Sequence, residues 1–439
     1  MDEYYEFEEQ TASEVWNNCV IPSLADIFPK IRDIFVCNIL FNLVTQTVVL
    51  PSIIFHSVSI GGGIYLLYTI VKENIWHFLL FLLCIYVFMY IIHYINIRFG
   101  MNVTGIVCIL YLLLCEFYNH DQQSWMQVRG LFMIGAMKII SLSFDLQHGM
   151  EFPSIVAFFG YTCCPANSIF GPWIPFKEYL LVRQYPNKKN YKWVLRIVSA
   201  TLISLFFLTV SNCWGSYFIP DDAYKWFLGY RQAQSFRTSH YFISYISEAT
   251  MVAAGYNDEK HRSVDGTWGY QVTKPLDIEI PTSLVSVVIS WNIPMHRFLK
   301  KYVYRASLEY GHFKAITITY FVSSLLHGFN IEIAAVLLTI GFYSYIQLKF
   351  QDKLSTQVNA CLRVRPCKSC QHKYKRNSII ARLLLILFSL LTILNLIYLG
   401  VLMDSIGYVD SPSVYKKWSN LDFLCHWIMS GLHVYTIVN

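Results

Sequence analysis

Charge is what this sequence has least of. Asp, Glu, Lys and Arg make up 14% of its 439 residues, against roughly 25% in an ordinary soluble domain. With 55% hydrophobic residues beside them, a soluble globule would carry an exterior too charge-poor to resist aggregation. The same numbers exclude a disordered chain and a small disulfide-stapled secreted domain. Tandem repeats and low-complexity tracts are missing, so solenoids and fibrous arrays are set aside. A basic leader is missing too: the N-terminus carries Asp2, Glu3, Glu6, Glu8 and Glu9. No cleavable signal peptide is expected, and the first span would act as the insertion signal. Nor is there a concentrated positive field. A dispersed net charge of +6 gives no reason to expect nucleic acid and is better explained by loops on the cytoplasmic side of a membrane.

What is there is apolar and aromatic. Thirty-one Phe, thirty-one Tyr and eleven Trp give a 17% aromatic share, suited to the belts at membrane interfaces. No Asp, Glu, Lys or Arg occurs in Ile34–Val71, Asn74–Ile97, Phe99–Cys115, Phe152–Phe176, Ile197–Pro220, Ile280–His296, Ala315–Ile331, Ile333–Leu348, Leu383–Met403 or Phe423–Asn439. About 20 apolar residues cross the hydrocarbon core as a helix. The first run is long enough for two spans joined near Pro51, and a further segment lies near Tyr241–Ala254. Some ten to twelve helices crossing or entering the bilayer are expected. In lipid every backbone amide must bond internally, and these runs are too long for barrel strands, so the expected fold is an all-α polytopic membrane protein. Residues 1–13 read as an acidic N-terminal tail and 14–439 as one transmembrane domain. The basic loops Arg183–Arg196 and Lys349–Arg382 are expected on the cytoplasmic face.

Among twelve cysteines, Cys37, Cys84, Cys108, Cys115, Cys213 and Cys425 sit in apolar runs and read as small hydrophobes, while Cys19 carries no motif. Cys163 and Cys164 precede Pro165 in a segment that looks bent. Cys361, Cys367, Cys370 and His372 form C-x5-C-x2-C-x-H in a basic loop. Thiolates and an imidazole suit tetrahedral zinc, yet the ligands lie within twelve residues, and a disulfide staple or free or lipid-modified thiols are equally natural. This is a weak candidate for a structural metal, and no catalytic metal is expected.

Polar residues placed among apolar ones are functional candidates by default in a membrane. His327 is embedded in an apolar helix, one residue before Gly328; Tyr320, Ser323 and Ser324 lie seven, four and three residues before it and share its face. A buried neutral imidazole there is a plausible general base. The bland alternative is a structural histidine hydrogen-bonded across helices. Asn292 lies 35 residues upstream, two before Pro294. The proline removes a backbone donor and disfavours α geometry at Ile293, so the helix should kink or end there. The Asn292 amide could bind a thioester oxygen or hold an acceptor hydroxyl, or simply plug a broken helix.

A Leu-Leu-His-Gly and a Trp-Asn-x-Pro at this separation resemble the signature of the membrane-bound O-acyltransferase family. Supporting blocks run in order along about two thirds of the chain: Trp125 with Arg129-Gly130, Ala136-Met137-Lys138, Phe144-Asp145-Leu146, Phe170-Gly171-Pro172-Trp173, Ser247-Glu248-Ala249-Thr250, Lys274-Pro275-Leu276 and Lys417-Trp418-Ser419. The resemblance is closest to the branch that acylates Wnt proteins. It implies roughly eleven transmembrane helices around a central catalytic tunnel, in the endoplasmic reticulum membrane. It implies His327 and Asn292 as catalytic residues, and Trp291, Tyr302, Tyr320 and Ser323 as binding residues for acyl-CoA. The implied reaction moves palmitoleate from palmitoleoyl-CoA, as co-substrate, to a serine hydroxyl of a Wnt protein. A thioester is already activated, so no further cofactor is expected. Within the family a lysophospholipid acyltransferase would use the same logic. From another class, a proton or solute transporter would also bury His, Tyr and Ser as a relay, but the paired halves a transporter should show are not found.

Overall fold

The computed structural model describes residues 11–47, 50–95, 100–118, 122–184, 189–256, 269–328, 330–364, 370–403 and 412–438. Most of the acidic tail therefore lies outside the described residues; at its end Thr11 caps the helix Ala12–Val15 in a reciprocal capping box with Glu14. The described residues are helical, and their sole β-pairing is a bridge between Ala360 and Tyr374.

Among the described residues, five helical stretches are long and apolar enough to cross a membrane: Ser52–Ile95, Ser124–Gln147, Tyr191–Phe218, Ile331–Gln357 and Ile379–Gly400. The first is two helices, Ser52–Val71 and Ile75–Ile95, folded back at Lys72, whose φ is 49°. Val103–Tyr118 and Leu424–Val438 are shorter apolar helices. Several remaining charge-free runs do not become spans. They are cut into the eight-residue helices Ile155–Thr162 and Leu284–Trp291 and the seven-residue Ile293–Leu299, each about 12 Å long or less at 1.5 Å per residue. Such pieces are too short to cross the hydrocarbon core.

The surface pattern is that of a protein solvated by lipid. On the Ile379–Gly400 helix, Leu383, Leu387 and Leu390 are 57%, 60% and 57% exposed, whereas Phe388, Thr392, Asn395 and Leu399 are buried. Spacings of three and four residues place each set on its own face. The face turned inward is the more polar one, the reverse of a soluble bundle.

One cysteine expectation is overturned. Cys19 and Cys213, read as unpaired, are joined in a disulfide across 194 residues of sequence. Cys213 lies near the C-terminal end of the stretch Tyr191–Phe218, and the basic loop before Tyr191 lies at its other end. A disulfide belongs on an oxidising face and basic loops on the cytoplasmic one, so a single span orients the molecule consistently. The Ile331–Gln357 helix runs in the opposite sense, its Gln357 end leading into the basic loop: Lys417 pairs with Glu332 at one end, while at the other the Lys353 ammonium donates to the Tyr435 and Thr436 carbonyls.

The bend expected at Cys163–Pro165 is present and buried. The Ile155–Thr162 helix stops, and an irregular segment follows in which Cys163, Cys164, Ala166, Asn167 and Ser168 are all at 1% exposure or less. Non-helical backbone at membrane depth needs partners from the protein itself. Lys138, fully buried, supplies them: its ammonium donates to the Tyr161 and Thr162 carbonyls at 3.0 and 3.1 Å and to Asn167 Oδ1 at 2.7 Å. It thus caps the C-terminus of the broken helix, where a cation is also favoured by the helix dipole.

Candidate active site

The Trp-Asn-x-Pro sequence makes a designed helix break. Leu284–Trp291 ends at Asn292, whose φ of −141° leaves the helical region, and Ile293–Leu299 starts anew with Pro294 in its first turn. Pro is tolerated there because its missing N–H would be unpaired anyway. Asn292 is the N-cap of the second helix: its Oδ1 accepts from the Met295 N–H at 3.0 Å. The bland reading of Asn292 as a plug is therefore half right. Its Nδ2 makes no hydrogen bond to any described residue, so two amide donors remain for something else.

Four side chains of the Lys225–Ala253 helix hold this break in place. His240 stacks on Trp291 at 4.3 Å with the rings 4° from parallel, and its Nε2–H donates to the Trp291 carbonyl at 2.7 Å. That carbonyl lost its helical partner when Met295 turned to Asn292. Glu248 accepts from the Val272 N–H at 2.7 Å, and the Val272 carbonyl takes the Ile293 N–H at 2.8 Å. Arg237 forms a bidentate pair with Glu279, at 2.8 and 3.1 Å, and Tyr241 donates to the same carboxylate. Charged groups at this depth are costly unless paired and hydrogen-bonded. Here each one fixes the strap of residues 269–280, irregular up to Lys274 and helical over Pro275–Glu279, against the break.

His327 is placed differently from the sequence expectation. It is not inside a helix but is the C-cap of His312–Leu326, with its N–H on the Ser323 carbonyl. The helix ends because Gly328 adopts φ +81°, the left-handed conformation that glycine supplies at helix ends. A Cβ there would also meet Glu116 Oε2 at 2.5 Å and Arg129 Cδ at 3.4 Å, so this backbone is wedged against the Glu116–Arg129 ion pair, itself largely buried. The half-buried His327 ring makes no hydrogen bond to any described residue. That departs from the reading of His327 as a bonded structural histidine.

The four expected binding residues are spread around these two points. Trp291 lies on His240 as described. Tyr302 is buried among the rings of Phe144, Trp173 and Phe298, and its hydroxyl accepts from Lys301, which in turn pairs with Asp145. Tyr320 does not turn toward His327; it lies against Gly341 and reaches Ser344 on the Ile331–Gln357 helix. Ser323 is buried one turn before His327, whose amide it receives. No relay of phenol and hydroxyls to the imidazole is formed. The two motifs are joined instead by apolar packing: Leu326, Met295, Phe298 and Tyr302 belong to one contiguous core, and the His312–Leu326 helix packs on the Lys300–Tyr304 turn.

The sequence profile of MBOAT, the membrane-bound O-acyltransferase family, matches residues 70–400. The chain belongs to this family. It is similar to the protein-serine O-palmitoleoyltransferase porcupine of Anopheles gambiae, 34% identical over 97% of this chain and 94% of that protein. The protein of the same name from Homo sapiens is 33% identical over 96% of each chain. Lysophospholipid acyltransferase 2 of Arabidopsis thaliana is 25% identical over 52% of this chain and 58% of its own.

Both motifs fall inside the span that matches the O-acyltransferase family. Residues that sequence reasoning did not single out as site residues are His240, Arg237, Glu248 and Glu279 around the break, and the Glu116–Arg129 pair behind Gly328. The signal was available: each is an ionisable residue in or beside a helix of the bundle, the property that singled out His327. Away from these, the ligand atoms of Cys361, Cys370 and His372 lie within 4.8 Å of one another, while Cys367 lies outside the described residues. Its hydrogen bond with His372 draws the Cys370 thiol down to about 7.

Proposed function

We propose that this acyltransferase transfers palmitoleate from palmitoleoyl-CoA to a serine hydroxyl of a Wnt protein in the endoplasmic reticulum membrane. The near-full-length likeness to protein-serine O-palmitoleoyltransferases carries the reaction class. The ring of His327, without a hydrogen bond among the described residues, carries the assignment of the site. A general base must be able to take up and give back a proton, and an imidazole without a fixed partner keeps both nitrogens available for that.

In the proposed reaction His327 accepts the proton of the serine hydroxyl as its oxygen attacks the thioester carbon. The Asn292 Nδ2 donors face the oxyanion that develops on the former carbonyl oxygen. As the C–S bond breaks and the C–O ester bond stays, the imidazolium returns its proton to the departing CoA sulfur. Trp291, Tyr302, Tyr320 and Ser323 would hold the acyl-CoA, the aromatic rings suiting an apolar, kinked chain. Proximity in a water-poor interior supplies much of the remaining acceleration. The test is acceptor competition: purified protein in detergent, given palmitoleoyl-CoA with a serine peptide of Wnt sequence or with a lysophospholipid. Transfer to the peptide supports the proposal; transfer to the lysolipid alone moves the chain to the family's other branch.

A further inference from the structure

The described part of the loop between the Ile331–Gln357 and Ile379–Gly400 helices has almost no regular structure of its own. It is closed by the bridge of Ala360 to Tyr374, with the Cys361 N–H on the Tyr374 carbonyl and the Tyr374 N–H on Asn359. That small clasp brings Cys361, buried at 2% exposure, next to Cys370 and His372 from the other arm. Cys370 Sγ lies 3.3 Å from His372 Nδ1. Donors about 2.3 and 2.1 Å from one tetrahedral zinc sit about 3.5–3.8 Å apart, so this cluster needs only small adjustment to close around an ion.

The imidazole is already set as a ligand. Ser355 Oγ donates its one proton to the Ala360 carbonyl at 2.6 Å, so its lone pair accepts from His372 Nε2–H at 3.2 Å. That contact fixes the tautomer and leaves Nδ1 unprotonated, facing the Cys370 sulfur. Such an outer hydrogen bond on the second ring nitrogen is how proteins orient a metal-binding histidine. The Lys375 ammonium donates to the Cys370 carbonyl, and Lys373 and Arg376 lie on the same arm. These charges offset the negative charge of a thiolate site. The basic loop belongs on the cytoplasmic side, opposite the Cys19–Cys213 disulfide. Cytosolic thiols stay reduced there, which favours a metal over a disulfide.

We propose that Cys361, Cys370 and His372 bind a structural zinc ion that clamps the cytosolic end of the Ile331–Gln357 helix to the approach of the Ile379–Gly400 helix. Thiolate and imidazole donors on a site remote from both motifs favour zinc held for structure, not for reaction. The clamped helix carries Gly341 and Ser344, the surface on which Tyr320 rests.

The test uses the full chain, purified without chelator and without a polyhistidine tag, and analysed for metal by plasma mass spectrometry. The expected result is about one zinc per chain, with an X-ray absorption shell of sulfur at about 2.3 Å and nitrogen at about 2.1 Å. Cys361→Ser, Cys370→Ser and His372→Ala should each lower the zinc content of protein that still elutes as a monodisperse species. If these variants do not fold, release of about one zinc per chain from the natural protein by a mercurial thiol reagent gives the same answer. Zinc-free protein from zinc-replete cells, with Cys361 and Cys370 both freely alkylated, overturns the proposal. So does a Cys361–Cys370 linkage found by non-reducing peptide mapping. Neither readout involves acyl transfer, so this proposal and the proposed reaction fail separately.

Discussion

The two polar intrusions into this apolar bundle are held in opposite ways. The break at Asn292 is tied from every side: His240 takes the freed Trp291 carbonyl, Glu248 acts through Val272, and Arg237 fixes Glu279 on the strap. At His327 only the backbone is fixed, by the Ser323 carbonyl and the Gly328 turn, and the ring is left without a hydrogen bond among the described residues. Other interior histidines follow the first pattern. His56 meets the Tyr179 hydroxyl at 2.9 Å, and His426 the Tyr398 hydroxyl at 2.6 Å. A group that must present a fixed dipole gains from rigid support. A group that must exchange a proton gains from an unfilled valence. The contrast therefore separates a positioned donor from a reacting base.

His327→Ala should break that contrast most. Transfer is expected to fall by at least the roughly 10²–10⁴ that general-base catalysis contributes, with thermal stability nearly unchanged because no side-chain hydrogen bond among the described residues is lost. Gly328→Ala comes next. It imposes a Cβ on a left-handed backbone, costing about 1–2 kcal/mol, and drives it into Glu116, so both turnover and melting temperature should drop. Asn292→Ser sharpens the other side of the comparison. Serine caps a helix about as well as asparagine, so the fold should persist, while loss of the amide donors should lower turnover about 10²–10³-fold, as removal of an oxyanion donor does elsewhere. The smallest effect on chemistry is expected at His426→Phe. Losing its bond to Tyr398 should cost about 1 kcal/mol of stability and leave turnover per folded molecule unchanged.

Much of this was legible in the chain itself, and the exceptions have physical reasons. Freedom from charge marks residues that lipid or the core will accept, so it located the helices; it cannot tell a span from a pair of half-helices, as Ile280–His296 shows. Pro294 announced the break at Asn292, because a proline acts locally on its own backbone. Gly328 held the same kind of information about His327, which nevertheless read as helical because the apolar pattern runs on to Leu326. The Cys19–Cys213 pair was illegible, since nothing in either neighbourhood specifies a partner 194 residues away. Lys138 and Glu248 stood in the sequence as costly intramembrane charges, but what they hold, a broken helix end and a strap, exists only after folding.

The central claim is that His327 reacts while His426 only packs. Its most direct test measures palmitoleoyl transfer from palmitoleoyl-CoA to a Wnt serine peptide, alongside acyl-CoA binding, for folded His327→Ala and His426→Phe proteins. The account predicts that the first variant binds acyl-CoA near normally yet loses transfer by roughly 10²-fold or more, and that the second transfers at the natural rate. Near-normal transfer by His327→Ala would contradict it.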